Sequence, residues 1–358
     1  MIAKRSKVLP YVIDLFSGCG GMSLGFSDAG FPLLASVDID KAASKTAEYN
    51  LDHRAGTSEY GHKSCTVDMR DLALEDILPD SFDSELIVIG GPPCQAYSLA
   101  GRGKLKSLGE HREHTKDERG NLYIDFLNFA VSANALAIVM ENVPAAINYG
   151  GRNVPEDACN LLEKKGYMAK WTILNAADYG VPQRRERLFL IATRKDSGLG
   201  PRFPSARFKC PKGQITQIGK MIKGLPEKSD HVILPETNKR LKKWVTVGQA
   251  LSDLPTLFTS ADQDYYLPKP SEAKIYSSPP QNPYQKRMRG NKSLSCGHGF
   301  RRTPRDFPIF ERMSHGDDYR HAVEIAERLL SEKLLAAGIN QEKNTERYRY
   351  LRKKTVPP

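Results

Sequence analysis

The stretch from Glu85 to Ser98, ELIVIGGPPCQAYS, decides how the chain folds. Leu86, Ile87, Val88 and Ile89 form an unbroken apolar run, the pattern of a parallel strand buried on both faces. The run stops at Gly90-Gly91-Pro92-Pro93, which cannot continue a strand, and Cys94 follows at once. In an open α/β sheet, ligands bind just beyond the carboxyl ends of the strands. Cys94 therefore stands where chemistry is done, unless it is only a small buried residue after a rigid turn.

Upstream and downstream, short apolar runs alternate with amphipathic segments up to about residue 195. Strands are expected at Tyr11–Phe16, Leu33–Val37, Leu86–Ile89, Ala137–Met140, Lys170–Leu174 and Leu188–Thr193, with a shorter apolar step at Cys65–Val67. Helices are expected at Met22–Ala29, Lys41–Tyr49, Leu122–Asn134 and Glu156–Lys164. Such βαβα alternation implies an α/β fold with a doubly wound, mostly parallel sheet. The last two strands are joined by a loop rather than a helix, so an antiparallel edge pair is expected there.

The chain has 358 residues and a formal net charge of +11, enough length for two domains and a balance that suits an anionic partner such as nucleic acid. Six cysteines, at 19, 65, 94, 159, 210 and 296, include no C-x-x-C pair. That spacing argues against a zinc site or a disulfide scaffold and fits a reducing cytoplasm. No apolar run is long enough for a membrane span. The basic N-terminus reaches Asp14 too soon to be a secretory signal.

Five places at the expected strand ends carry chemistry. The first strand runs into Asp14-Leu15-Phe16-Ser17-Gly18-Cys19-Gly20-Gly21, a turn whose glycines let backbone approach a cofactor. Asp38, 20 residues after Gly18, is spaced to hold two ribose hydroxyls. A nicotinamide dinucleotide fold would read similarly, but Ser23 stands where its third glycine belongs. Asp68-Met69 brings another acid and an apolar side chain to the same edge. Glu141, ending the strand beside that of Cys94, is placed to have a raised pKa and to donate a proton. Within the charge run Gln183-Arg184-Arg185-Glu186-Arg187, Arg187 abuts the last strand and can point into the sheet-end crevice.

The order DLFSGCGG, GGPPCQAYS, ENV and QRRER, over Tyr11 to Thr193, resembles the cytosine-C5 DNA methyltransferase family. Trp244–Pro255 (WVTVGQALSDLP) is similar to that family's entry into its target-recognition region. The resemblance implies a Rossmann-like S-adenosylmethionine-dependent fold over residues 1–195 and a loop-rich recognition region over 196–358. It implies transfer of a methyl group from S-adenosyl-L-methionine to C5 of a flipped-out cytosine in double-stranded DNA. Cys94 matches the nucleophile that adds to C6, Glu141 the acid at N3 and the exocyclic amine, and Arg187 the arginine at O2, with Arg185 beside it. For the cofactor, Phe16 would stack on adenine, Gly18, Gly20 and Gly21 would allow close approach, and Asp38 would hold the ribose. Asp68, with Met69, would meet the adenine edge; Pro92 and Leu122 would line the site. Ile39 replaces a commoner aromatic next to the ribose acid.

The basic, glycine-containing stretch Gln95–Gly120 is expected to act as a lid, with Gln95, Ser98 and Arg102 on DNA. His111 and His114 lack a third ligand, so no metal is expected. Basic clusters at 239–243, 286–289, 301–302 and 347–354 mark the DNA-contacting half, with helices at Phe310–Met313 and His321–Ala337. The family continues with two further motifs, the last a helix completing the cofactor site. The chain ends at Lys353-Lys354-Thr355-Val356-Pro357-Pro358 without them, so weak cofactor binding is expected unless a C-terminal partner polypeptide completes it. Otherwise the expected state is a monomer on DNA, with or without a cognate restriction endonuclease. A tRNA cytosine methyltransferase is the nearest alternative; Gln95–Ser98 and the long recognition region favour DNA. A non-catalytic DNA-binding subunit of a split enzyme is the other, and intact Cys94, Glu141 and Arg187 oppose it.

Overall fold

The computed structural model describes residues 9–52, 59–93, 122–149, 151–210, 229–233, 241–255, 265–266, 274–295, 300–301, 303, 305–314 and 316–337. Its centre is a seven-stranded sheet of β1 (Tyr11–Leu15), β2 (Leu33–Asp38), β3 (Lys63–Thr66), β4 (Leu86–Gly90), β5 (Ala137–Asn142), β6 (Tyr167–Asn175) and β7 (Glu186–Arg194), in the order β3-β2-β1-β4-β5-β7-β6. β3, β2, β1, β4 and β5 pair in parallel; β7 runs antiparallel to both β5 and β6. This is the doubly wound α/β fold with an antiparallel edge that the sequence implies.

Every residue of β1 and β4 is buried, because these strands are covered on both faces. Side chains alternate between two cores. Val12, Ile87 and Ile89 pack with Ala47 and Leu51, on the side of α1 (Gly21–Asp28) and α2 (Lys41–Leu51). Ile13, Leu15 and Val88 lie on the other side with Phe126, Leu127 and Leu162, from α3 (Leu122–Ser132) and α4 (Val154–Lys164). The strand order reverses between β1 and β4, whose ends meet at the Leu15–Gly90 pair. Such a switch point opens a crevice for ligands.

Gly90 is a packing requirement there. A Cβ on it would lie 2.3 Å from Leu15 O and 2.8 Å from Phe126 Cε2.

The element ends differ from the sequence expectation in instructive ways. β6 starts at Tyr167 and β7 at Glu186, both earlier than apolarity alone marks, because the hairpin pairs Tyr167 with Arg194 at one end and Glu186 with Asn175 at the other. α4 starts at Val154, where the Asn153 side chain accepts from Glu156 N and Pro155 fits the first turn.

By contacts the chain divides into two units, Met1–Thr246 and Val247–Pro358. The first includes the short parallel pair β8 (Phe208–Lys209) and β9 (Lys242–Lys243). It also includes residues 229–233, which bridge to β6 through Trp171 N to His231 O (2.8 Å) and Ile233 N to Trp171 O (3.0 Å). The second contains α5 (Val247–Leu251), β10 (Tyr265–Tyr266), β11 (Lys274–Ile275), α6 (Pro283–Arg289), β12 (Leu294–Ser295), β13 (Phe300–Arg301), α7 (Phe307–Arg312) and α8 (Tyr319–Ala336). α7 replaces the expected Phe310–Met313 and starts three residues earlier, with Pro308 in its first turn. α6 lies in a stretch that reads as loop. Among the described residues no helix is long and apolar enough to cross a membrane.

Candidate active site

The first wall of the site is the turn leaving β1. Phe16 has a φ of +58°, a left-handed conformation that a non-glycine residue adopts at a cost, and Gly18 and Gly20 follow at +54° and +81°. Ser17 N donates to Val37 O and Gly20 N to Ser17 O, closing the turn. A Cβ on Gly20 would come within 2.8 Å of Leu51 Cδ1, whereas Gly18 and Gly21 have open space where theirs would be. The glycines thus serve two ends: Gly20 lets the turn sit on α2, and Gly18 and Gly21 leave a cradle.

Asp38 closes this cradle. Its Oδ2 accepts from Gly18 N and its Oδ1 from Asp40 N, both at 2.8 Å. Each carboxylate oxygen keeps lone-pair capacity for a ligand hydroxyl. Ile39 stands 68% exposed beside it. Ser17 Oγ is buried with no hydrogen-bond partner among the described residues, leaving a donor and an acceptor for a bound group.

Four other expected cofactor residues have different neighbours. Asp68 is held by Arg70 through Nε (3.1 Å) and Nη2 (2.7 Å), which lowers its pKa. Met69 is buried in the main core. Pro92 is buried, and its carbonyl accepts from Asn142 Nδ2 at 3.3 Å. Leu122 is buried at the first turn of α3.

Sequence reading passed over Asp14. It is fully buried in β1, accepts from Ser23 N (3.1 Å) and Ser23 Oγ (2.6 Å), and so ties the strand to the helix after the turn. Burial pushes its pKa up to about 7, against the pull of the Ser23 hydrogen bonds. A lone carboxylate inside the run Tyr-Val-Ile-Asp-Leu was the signal available.

The second wall is at the ends of β5 and β7. Glu141 Oε1 and Arg187 Nε are 2.8 Å apart, and each side chain is about one-quarter exposed (25% and 22%). Burial raises the Glu141 pKa, and Arg187 and Arg185 pull it partly back. Gly91 brings the chain past this carboxylate: a Cβ there would sit 3.4 Å from Glu141 Oε2. Glu141, Arg185 and Arg187 stand at a cleft of about 540 Å³ whose walls include Val139, Phe189 and Ile191. A partly desolvated acid beside two guanidiniums can present both a proton donor and cationic donors to a heteroaromatic ring.

The loop carrying Arg185 is fixed at several points. Asn175 Oδ1 accepts from Ala177 N (3.1 Å) and Arg185 N (3.2 Å). Asp178 Oδ1 accepts from Trp244 Nε1 (2.7 Å), and Tyr179 OH donates to Pro204 O (2.8 Å). Gly180, at φ +92°, lies under the Phe208 ring.

Cys94, Gln95, Ser98 and Arg102, with His111 and His114, lie outside the described residues. Pro93 is the last described residue before them and Leu122 the first after. Among the described residues no group of three or more His, Cys, Asp or Glu is arranged to hold a metal.

The family model for C-5 cytosine-specific DNA methylases matches residues 11–329. M.OihORF3336P of Oceanobacillus iheyensis, named as a type II methyltransferase, is 45% identical over 98% of this chain and 77% of its own length. The type II methyltransferase M.AquIA of Picosynechococcus is 33% identical over 68% of this chain and 88% of that one. Among solved structures, a DNA modification methyltransferase encoded within an Escherichia coli prophage superposes with a TM-score of 0.53 at 26% identity, covering 78% of this chain and 64% of that one.

Proposed function

Because the chain belongs to the C-5 cytosine-specific DNA methylase family, we propose that it methylates C5 of cytosine in duplex DNA with S-adenosyl-L-methionine as donor, through a Cys94 adduct. The observation that carries the reading is the Glu141–Arg187 pair beside Gly91-Pro92-Pro93, at the switch-point end of the sheet.

S-adenosyl-L-methionine supplies an electrophilic methyl group when bound. The open turn over Gly18 and Gly21, the unpartnered Ser17 Oγ and the braced Asp38 fit such a ligand. Asp38 would accept from its ribose hydroxyls while holding Gly18; Phe16 and Ile39 would pack on its adenine. Asp68 would have to share its acceptor capacity with Arg70 to reach the adenine amine.

C5 of cytosine is a weak nucleophile, so the ring must be activated. The Cys94 thiolate adds to C6, forming a C–S bond and moving the electron pair of the C5–C6 bond onto the ring. Glu141, with its raised pKa, donates a proton at N3 and holds the exocyclic amine. Arg187 keeps Glu141 in place and donates to O2. C5 then takes the methyl group; Glu141 takes back the N3 proton, and loss of the C5 proton with departure of the Cys94 thiolate restores aromaticity.

The target carbon is inside the stack in duplex DNA, so the base is flipped out at a cost on the order of a few kcal/mol. Gln95, Ser98 and Arg102 would contact the DNA, with phosphate contacts that close a lid. The type II naming of its relatives supports a role as the modification enzyme of a restriction-modification system, with a cognate endonuclease as partner.

The test is covalent trapping on a duplex containing 5-fluorocytosine, where C5 carries fluorine in place of the proton that must leave. With donor present, the wild-type chain should form a denaturant-stable complex and Cys94→Ser should not. No complex with wild type, or an equal one with Cys94→Ser, sinks the reading.

A further inference from the structure

In the second unit, α6 is fastened by polar bonds. Gln285 is its buried side chain. Gln285 Nε2 donates to Gln249 O (2.7 Å) and Ser252 Oγ (2.9 Å), and its Oε1 accepts from Gln281 N (2.6 Å). Asn282 caps the helix by accepting from Gln285 N (3.0 Å), and its Nδ2 donates to Gln249 O (2.7 Å). At the other end the Arg289 guanidinium lies 4.0 Å over the Tyr276 ring and donates to Ser278 O at 2.8 Å.

The face turned away from these anchors is basic. Lys286, Arg287 and Met288 are exposed, as is Lys292 in the following turn. At about 100° per residue, Arg287 lies about 200° round the helix from Gln285, nearly opposite the anchor. Lys286 and Arg287 have no carboxylate within salt-bridge distance among the described residues, and Met288 is 58% exposed between them and Arg289.

A basic surface helix is ordinarily a solvated face. Two features argue otherwise. Arg289 is paired with Asp253 at 3.9 Å, but the exposed cations at 286, 287 and 292 crowd one short segment and repel one another, a cost that a polyanion relieves. A seven-residue helix held at both ends by side-chain hydrogen bonds, with Gln285 buried, is also stiffer than solvation requires, and rigid support is what base reading needs.

We propose that α6 is a DNA-reading element of this protein: Arg287 reaches base edges in a groove, while Lys286 and Lys292 sit on flanking phosphates. The inference rests on duplex DNA being the substrate. Arginine is suited to the role because its fork can bond two acceptors of one base.

The test uses the full chain and duplexes chosen by sequencing the sites that wild type methylates. Arg287→Ala should weaken binding to a target duplex about tenfold or more, with little loss on a non-target duplex, and should relax the methylated pattern. Lys286→Ala and Lys292→Ala should weaken both duplexes alike and each reduce the slope of log K against log salt by about one. These side chains are exposed, so the fold is kept; circular dichroism checks it. If Arg287→Ala leaves affinity and site pattern at wild-type values, or weakens both duplexes equally, the assignment to base edges is overturned. Lysine variants that leave the salt slope unchanged overturn the phosphate contacts. Failure of wild type to be trapped by 5-fluorocytosine DNA is a different result and strikes the activity itself.

Discussion

Asp14 sits among four apolar side chains in β1, and all five residues of the strand are buried. Its carboxyl is raised from 3.8 to about 7, chiefly by burial. The consequence for stability has the opposite sign to an ion-paired carboxylate. Below about pH 4 the group is protonated in both the folded and unfolded chain, and its contribution is fully present. Between about pH 4 and 7 the unfolded chain ionises while the folded one resists, so stability falls as pH rises; above about 7 the loss levels off. At about 1.4 kcal/mol per pH unit, the ceiling on this loss is about 4 kcal/mol. Asp14→Asn keeps an oxygen to accept from Ser23 and removes the titration. Urea unfolding at pH 5 and pH 8 should show a smaller pH difference for the variant than for wild type, and an equal difference would refute the assignment.

At the level of elements, Gly90 is where β4, β1 and α3 converge. Ala at this position would press its Cβ against Leu15 O and the Phe126 ring. Gly90→Ala is therefore expected to destabilise the first unit by about 1–3 kcal/mol or more through overpacking, and to lower the melting temperature. An unchanged melting temperature would mean that the strand end yields freely. The same elements show why much of the fold was legible. Apolar runs such as Leu86–Ile89 and Tyr11–Leu15 are buried on both faces, and burial on both faces is written as continuous hydrophobicity. Glu141 and Arg187 could be singled out because each abuts an apolar strand; that they meet depends on β7 pairing antiparallel to β5, whereas the loop-joined last strands pointed only to the β6–β7 pair. α6 was illegible because its buried side chain is a glutamine, so it carries no apolar period. Asp38 was read as a ribose ligand, yet its bonds to Gly18 and Asp40 come from backbone amides, which sequence does not display.

Across the whole molecule, the two units have hydrophobic cores of very different size. The first is built on the seven-stranded sheet and buries Trp171, Phe126, Leu127, Ile138 and Met140 completely, among many others. Among the described residues, the core cluster of the second unit consists of Ile309, Ala322, Ile325, Ala326, Leu329, Leu330 and Leu334, drawn from α7 and α8. Burial of apolar side chains is the main term that offsets the conformational entropy lost on folding. With only five large aliphatic side chains in that cluster, the second unit has the smaller margin of the two. Unfolding should therefore depart from two-state behaviour, with a first transition reported by α8 and a later one by β1 and β4. Hydrogen exchange followed by mass spectrometry can resolve the two: amides of Tyr319–Ala336 should exchange well before those of Tyr11–Leu15 and Leu86–Gly90. If the second unit is the one that grips DNA, adding duplex should slow exchange in α8 and raise the first transition toward the second, since a ligand stabilises only the state that binds it. Coincident transitions with equal protection in α8 and β4, without DNA, would show that the small core does not open on its own.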